Sequence, residues 1–340
     1  MANPKVLITG GAGLIGSNLA RFLHSTQKCE VVIVDNLSGG SRINIPHRIK
    51  LHVIDLVTDV VELNKLFEEN SFDVVYHCAA YAAEGLSPFI RKFNYENNLI
   101  STANIINACI NYKVSRLVYF SSMAVYGDYE APPFSEDLIP NPIDPYGVAK
   151  FACEMDIKIA HRQHGLGYCI IRPHNFYGPG QNINDKYRNV LGIWMKAAMN
   201  NLPIQIYGSG LQVRAFSYIG DAMHPLYNAG FSEIAESQTI NLGGIEPITL
   251  NKAAGIVKQV CNSSSEIIHR EPRHEVRYAY STYQKSIDYL GFKHVTSLET
   301  GLRLMYEWAR ELDEYAFLPY DWDGDYEISD GVYEYWKRPA

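Results

Sequence analysis

The chain has 340 residues, with 30 Lys and Arg against 37 Asp and Glu and a net charge of −7. Hydrophobic residues make up 47%, enough for a large core, while the acidic balance excludes a generally basic surface of the kind that holds nucleic acid. No apolar run approaches the roughly 20 residues of a membrane span, and Met1 leads into the first predicted strand without a signal pattern, so a cytoplasmic protein is expected. The length exceeds the usual single-domain size and points to one large domain or two intimate ones. Six cysteines, Cys29, Cys78, Cys109, Cys153, Cys169 and Cys261, form no CxxC pair and have no zinc-ligand spacing. They read as reduced structural thiols, with no metal site.

In chain order, a strand is predicted over 5–9, a helix over 15–24, strands over 30–35 and 51–55, and a helix over 60–69. A buried strand follows over 73–78, a long helix over 94–111, a strand over 116–120, a helix over 145–164 and a strand over 168–172. Near-continuous β-branched strands separated by helices predict a doubly wound parallel sheet of the α/β class, covered on both faces. Past residue 180 the loops lengthen and the helices shorten. A dinucleotide-binding domain is therefore expected over 1–180 and a smaller mixed α/β substrate domain over 181–340, with segments that cross back. The stretch 315–340, "YAFLPYDWDGDYEISDGVYEYWKRPA", is too aromatic for a disordered tail and is expected to dock on the body or on a neighbouring subunit.

The first strand runs into "VLITGGAGLIGSNLA" at 6–20, where Gly10, Gly13 and Gly16 are spaced by three. Such glycines allow a tight turn, close backbone approach to a pyrophosphate, and close helix–strand packing. The helix start at Leu14 and Ile15 then offers free N–H groups and a positive dipole end. An acid about 20 residues on completes the dinucleotide pattern, and Asp35 stands there, at the end of the second strand. Its carboxylate suits the two hydroxyls of an adenosine ribose and repels a 2′-phosphate, which favours NAD over NADP. Asp55 is a candidate for the adenine amino group, although an N-cap would look the same.

"DPYGVAK" places Tyr146 and Lys150 four apart, on one helix face. A phenol with a pKa of about 10 needs a neighbouring cation to act as a base near neutrality. Upstream, "LVYFSSMAVYG" releases Ser121 and Ser122 at the carboxyl end of a buried strand, where parallel sheets bind ligands. Ser122 suits a substrate hydroxyl beside Tyr146, and strand-end capping suits Ser121 better.

Together "TGGAGLIGS", "HCAA", "SSMAVYG", "YGVAK", "RPHNFYGPG" and "RAFSYIGD" make the chain resemble the extended short-chain dehydrogenase/reductase family. The resemblance is closest to its nucleotide-sugar epimerases, of the UDP-glucose/UDP-N-acetylglucosamine 4-epimerase type. It implies a Rossmann NAD domain and a Ser122–Tyr146–Lys150 triad. It implies NAD contacts at Gly10, Gly13, Leu14, Ile15, Gly16, Asp35, Asn36, Asp55, Leu56, Ala79, Ala80, Asn98, Tyr146, Lys150 and His174. On its residues alone His174 reads more readily as a buried imidazole bonded to the backbone than as a direct contact with nicotinamide or substrate, and His77 as packing near the pyrophosphate turn.

For the nucleotide sugar, with UDP favoured, the resemblance implies Ser122, Asn175, Asn189, Val190, Tyr207 as a base-stacking aromatic, and Arg214 and Arg273 on the diphosphate. A gapless count from Lys285 puts Ala279 at a gate on the sugar's C2 substituent, while a shift of one residue would put Tyr280 there. The related 4,6-dehydratases carry an Asp–Glu pair after the catalytic Ser or Thr, and the decarboxylases a Glu; here those positions are Met123 and Ala124. What remains is oxidation at C4, rotation of the keto sugar, and reduction on its other face. A 4-reductase or dehydratase-like enzyme, and a non-catalytic NAD-binding scaffold, are the alternatives. The helices over 94–111 and 145–164 carry apolar residues beyond one face, and in the family such helices pair in a homodimer.

Overall fold

A computed structural model of the protein describes residues 3–129, 132–273, 275–312 and 326–337. One sheet holds seven strands: β1 (Lys5–Thr9), β2 (Glu30–Val34), β3 (Lys50–His52), β4 (Val74–His77), β5 (Arg116–Phe120), β6 (Gly167–Pro173) and β7 (Gln238–Leu242). Their spatial order is β7-β6-β5-β4-β1-β2-β3, and every pairing is parallel. The order reverses between β1 and β4, which opens a crevice at the carboxyl edge, the usual ligand position in a doubly wound sheet. Every residue of β4 and β5 is buried, which is why both read as unbroken apolar runs rather than alternating ones.

Helices Leu14–Ser25 and Ile219–Phe231 cover one face of the sheet through Leu19, Leu23, Met223 and Leu226. Helices Val60–Glu69, Ser101–Asn111 and Pro145–His164 cover the other through Leu63, Phe67, Ile105, Cys153 and Ile157. Each fully buried Leu or Ile contributes about 1.5–3 kcal/mol. The 20-residue helix Pro145–His164 is well delimited by its sequence. Asp144 accepts the Gly147 N–H at 2.9 Å, Pro145 opens the first turn, and Gly165 ends the helix at a φ of +74°.

Two expected elements differ in detail. The helix over 94–111 is interrupted: α-helix over Arg91–Tyr95, a π turn over Glu96–Ile100, then α-helix over Ser101–Asn111. Within the bulge the Asn98 amide donates to Asn94 O at 3.0 Å and to Tyr81 O at 3.1 Å, a tertiary tie that periodicity does not encode. The third strand is Lys50–His52 rather than 51–55, because the Asp55 carboxylate turns the chain by accepting from Val57 N and Thr58 N.

Past residue 180 a mixed lobe packs helices Val190–Met199, Leu250–Val260 and Leu298–Arg310 around Trp194, Met195, Val257 and Met305. Short strands Ile204–Tyr207 with Ile267–Arg270, and Val213–Ala215 with Pro247–Thr249 and Tyr278–Ala279, complete it. The chain also crosses back after 180: β7 and helix Ile219–Phe231 belong to the sheet's own layers. Among the described residues no helix is long and apolar enough to cross a membrane. Of the aromatic stretch 315–340, residues 326–337 are described and dock on the segment 81–93; 315–325 and 338–340 lie outside the described residues.

Candidate active site

A cleft of about 1110 Å³ opens at the carboxyl edge of the sheet and runs into the mixed lobe. Gly10, Gly13, Leu14, Ile15, Gly16, Asp35, Asn36, Asp55, Leu56, Ala79 and Ala80 line one half. The glycine turn leaves no room for a side chain at Gly10 or Gly16. Gly10 has a φ of +66°, and a Cβ there would lie 2.6 Å from Ala79 N; a Cβ on Gly16 would lie 2.4 Å from Gly10 O. Gly13 caps helix Leu14–Ser25 without a side-chain bond, so the helix start faces the cleft with its amides and positive dipole end. The Asp35 carboxylate is held by Ala12 N at 2.9 Å and Leu37 N at 2.7 Å, and burial raises its pKa against these two bonds. Asn36 donates to Asp55 at 2.8 Å, so the two form one polar floor. A turn closed to side chains at Gly10 and Gly16, under an open helix start and beside a fixed carboxylate, fits a dinucleotide.

Ser122 and Tyr146 meet on the wall between the two halves. β5 delivers Ser122, whose Oγ accepts from Ala124 N at 3.1 Å and stands close enough to the Tyr146 phenol to lower its pKa. Burial is the larger influence and raises that pKa above the ordinary 10. Lys150 lies just behind, one helical turn on and 2% exposed. Its Nζ donates to Phe120 O at 2.8 Å and sits 5.8 Å from the centre of the Tyr146 ring. Burial brings the lysine down to about 8, so it keeps its proton at neutral pH. Beneath the three, Arg172 and Glu154 form a buried ion pair at 2.6 Å. Ser121 donates to Glu154 at 2.5 Å, and Arg172 donates to the Tyr126 hydroxyl at 2.8 Å. Ser121 therefore serves the floor of the site, while its neighbour faces the cleft.

Asn175, Asn189, Val190, Tyr207, Arg214, Arg273 and Ala279 all line the other half. Asn175 and Asn189 adopt left-handed φ values of +35° and +58° and tie their amides to Ala215 O and Phe176 O. Arg214 and Arg273 share Glu275, at 3.6 and 3.7 Å, and Arg273 lies 4.3 Å over the Tyr207 ring. Ala279 pairs with Arg214 in the small sheet and faces the cleft. Tyr280 is not part of the wall; its carbonyl accepts from Phe134 N.

Three expected cofactor residues do not line the cleft: Lys150, which lies behind Tyr146, and Asn98 and His174. Asn98 is buried behind Tyr81, whose N–H and carbonyl it bonds, and it does not reach the cleft. His174 is fully buried against Gly244 and bonds the Ser281 hydroxyl rather than the backbone or the cleft. Burial holds it at about 3, hence neutral. His77, between Thr9 and Thr102, is likewise held at about 3 by burial and by Lys150.

Three features of the wall escape sequence reasoning. Glu84 opens onto the cleft from the segment after β4, exposed to solvent, with Asp144 raising its carboxyl against Arg214 and Arg273. Arg188 projects from the loop before helix Val190–Met199. Tyr333 and Trp336 reach the wall from the docked C-terminal segment. Two of these leave a trace in the sequence: Glu84 as an acid in an otherwise small and apolar run, "AAYAAEGLSPF", and Tyr333 and Trp336 within the aromatic stretch expected to dock.

Known proteins share this arrangement. The sequence profile described as the NAD dependent epimerase/dehydratase family matches residues 6–243. UDP-glucuronic acid decarboxylase 5 of Arabidopsis thaliana is 31% identical over 318 residues, 90% of this chain and 89% of its own length. The UDP-glucose 4-epimerase of Thermotoga maritima, solved with UDP-glucose, superposes with a TM-score of 0.85 at 29% identity, over 90% of this chain and 98% of its own. The UDP-glucose 4-epimerase of Thermus thermophilus, solved with NAD, gives 0.85 at 28% identity, over 90% and 99%.

Proposed function

This chain belongs to the NAD dependent epimerase/dehydratase family, and we propose that within it the chain is a 4-epimerase of UDP-sugars. One observation carries the reading: Ser122 and Tyr146 converge on the cleft wall with Lys150 behind them, and no carboxylate stands at Met123 or Ala124. A dehydratase or a decarboxylase needs an added acid or base there. Met and Ala cannot move protons, and this weighs against the activity of the decarboxylase relative despite its 31% identity.

NAD, the cofactor of this family, supplies a reversible hydride acceptor when bound. The chain's residues supply the rest. Tyr146 Oη takes the proton of the sugar's 4-hydroxyl, and Ser122 Oγ holds that oxygen in line. Lys150 stabilises the phenolate electrostatically. Arg214 and Arg273 exchange Glu275 for the diphosphate, to which planar guanidiniums are well matched. With the nucleotide anchored and the sugar loosely held, the 4-keto ring turns and its other face is reduced. Ala279 leaves room for an acetamide at C2, so both UDP-glucose and UDP-N-acetylglucosamine are accepted. Exposed Ile100, Val148, Met155 and Ile159 on the outer helices support an isologous homodimer, to be checked by light scattering. The test of the chemistry is Tyr146→Phe, which should keep fold and NAD but lose interconversion of UDP-glucose and UDP-galactose. Near-normal turnover in that variant removes Tyr146 from the mechanism.

A further inference from the structure

The glycine turn brings no basic side chain to the dinucleotide, yet a cation lies across the mouth above it. Arg188 sits 5.1 Å over the Tyr81 ring on one lip of the cleft. On the other lip its Nη2 is 2.8 Å from where a Cβ of Gly39 would stand. Both lips adjoin the turn. Tyr81 stands two residues after Ala79, the residue packed on Gly10, and Gly40 packs on Ala12. The reach is set by Asp185, 2% exposed, which accepts from Tyr187 N at 2.8 Å, from Arg188 N at 3.1 Å and from Arg188 Nε. A carboxylate bound to Nε fixes the plane of the guanidinium, whose Nη2 approaches Gly39 across the opening.

The C-terminal segment braces this loop. Trp336, 3% exposed, packs against Tyr187 with ring centres 5.3 Å apart and comes within 3.4 Å of a Cβ on Gly85. Tyr333 closes on Phe89 and Trp336 at 5.9 and 5.0 Å. The segment is pinned at its start: Glu327 accepts Lys92 N at 2.7 Å and Phe93 N at 3.0 Å, and the Tyr326 hydroxyl donates to Trp336 O at 2.8 Å.

We propose that Arg188 is a pyrophosphate-binding residue and that the docked segment 326–337 is its brace, the two forming a clasp that retains the dinucleotide. A guanidinium above the turn meets the phosphates from the side opposite the helix start, so the anion is held between two positive ends. Val332, Trp336 and Tyr187 form one apolar cluster with Tyr81, Leu86 and Ile90, so the segment acts through the loop and not by charge. Such a clasp suits an enzyme that regenerates its cofactor at each turnover.

The test reads NAD release from the purified holoprotein by a rapid chase with excess ADP-ribose and no sugar present, so it does not depend on the epimerase reading. Charge-assisted bonds of this kind predict release about ten- to a hundredfold faster in Arg188→Gln, with partial recovery in Arg188→Lys. Trp336→Ala and a chain ending at Asp325 should release at least about fivefold faster. Joined to Arg188→Gln, either should add little, because a brace acts only through what it holds. Far-UV circular dichroism confirms the fold of each variant. Release within twofold of wild type in Arg188→Gln overturns the phosphate role. Full additivity of Trp336→Ala with Arg188→Gln overturns the brace.

Discussion

Replacing Lys150 by Met removes the cation behind Tyr146 while keeping most of the buried stem. In the intact protein its Nζ lies 5.8 Å from the ring centre. At an effective dielectric of about 20, a unit charge at that distance favours the phenolate by about 3 kcal/mol, equal to about two pKa units. Burial holds the phenol above its ordinary value, and the Ser122 hydroxyl and Arg188 offset only part of this. At pH 7 the lysine, brought down to about 8, is charged in wild type. Lys150→Met should therefore lower kcat/KM about a hundredfold and move the ascending limb of the pH–rate profile up by about two units. The assay is interconversion of UDP-glucose and UDP-galactose between pH 6 and 10, normalised to bound NAD. A variant within threefold of wild type at pH 7, or with an unmoved limb, refutes the electrostatic argument.

Gly16→Ala puts a methyl 2.4 Å from Gly10 O, where backbone cannot yield, so NAD affinity should fall at least about tenfold by equilibrium dialysis. Arg172→Met leaves Glu154 charged and wholly buried; the cost of about 3–5 kcal/mol should lower the thermal midpoint by roughly 10 °C in a calorimeter. Ala279→Tyr should abolish turnover of UDP-N-acetylglucosamine and spare UDP-glucose; equal handling of both by the variant removes the gate from Ala279.

Local chemistry announces much of this architecture. The strand over Lys5–Thr9, the helices Val60–Glu69 and Pro145–His164 and the strand Arg116–Phe120 stand where periodicity and caps place them. The glycine turn is legible because φ and close approach restrict the residue type. Less legible is what depends on contacts distant in sequence. The π turn at Glu96–Ile100 answers to Tyr81. Asn98 and His174 carry familiar motif positions, yet their polar atoms bond Tyr81 and Ser281. β7 joins the sheet from beyond residue 180, a pairing that sequence order alone does not show. Arg188 gains meaning only when Gly39 and Tyr81 are brought to either side of it. Trp336 does so only when the chain's end folds over Gly85, some 250 residues earlier in the sequence.

The central claim is a 4-epimerase that keeps its NAD, and one spectrum tests it most directly. The protein as purified, with no cofactor added, is incubated in separate tubes with UDP-glucose, UDP-galactose, UDP-N-acetylglucosamine and UDP-glucuronic acid, and the anomeric protons are followed by NMR. The account predicts that the UDP-glucose and UDP-galactose tubes converge on one mixture of 4-epimers, that the N-acetyl sugar gives its own pair, and that no NADH accumulates. A UDP-pentose formed from UDP-glucuronic acid with release of carbon dioxide, or a 4-keto product that builds up without returning to either epimer, would contradict it.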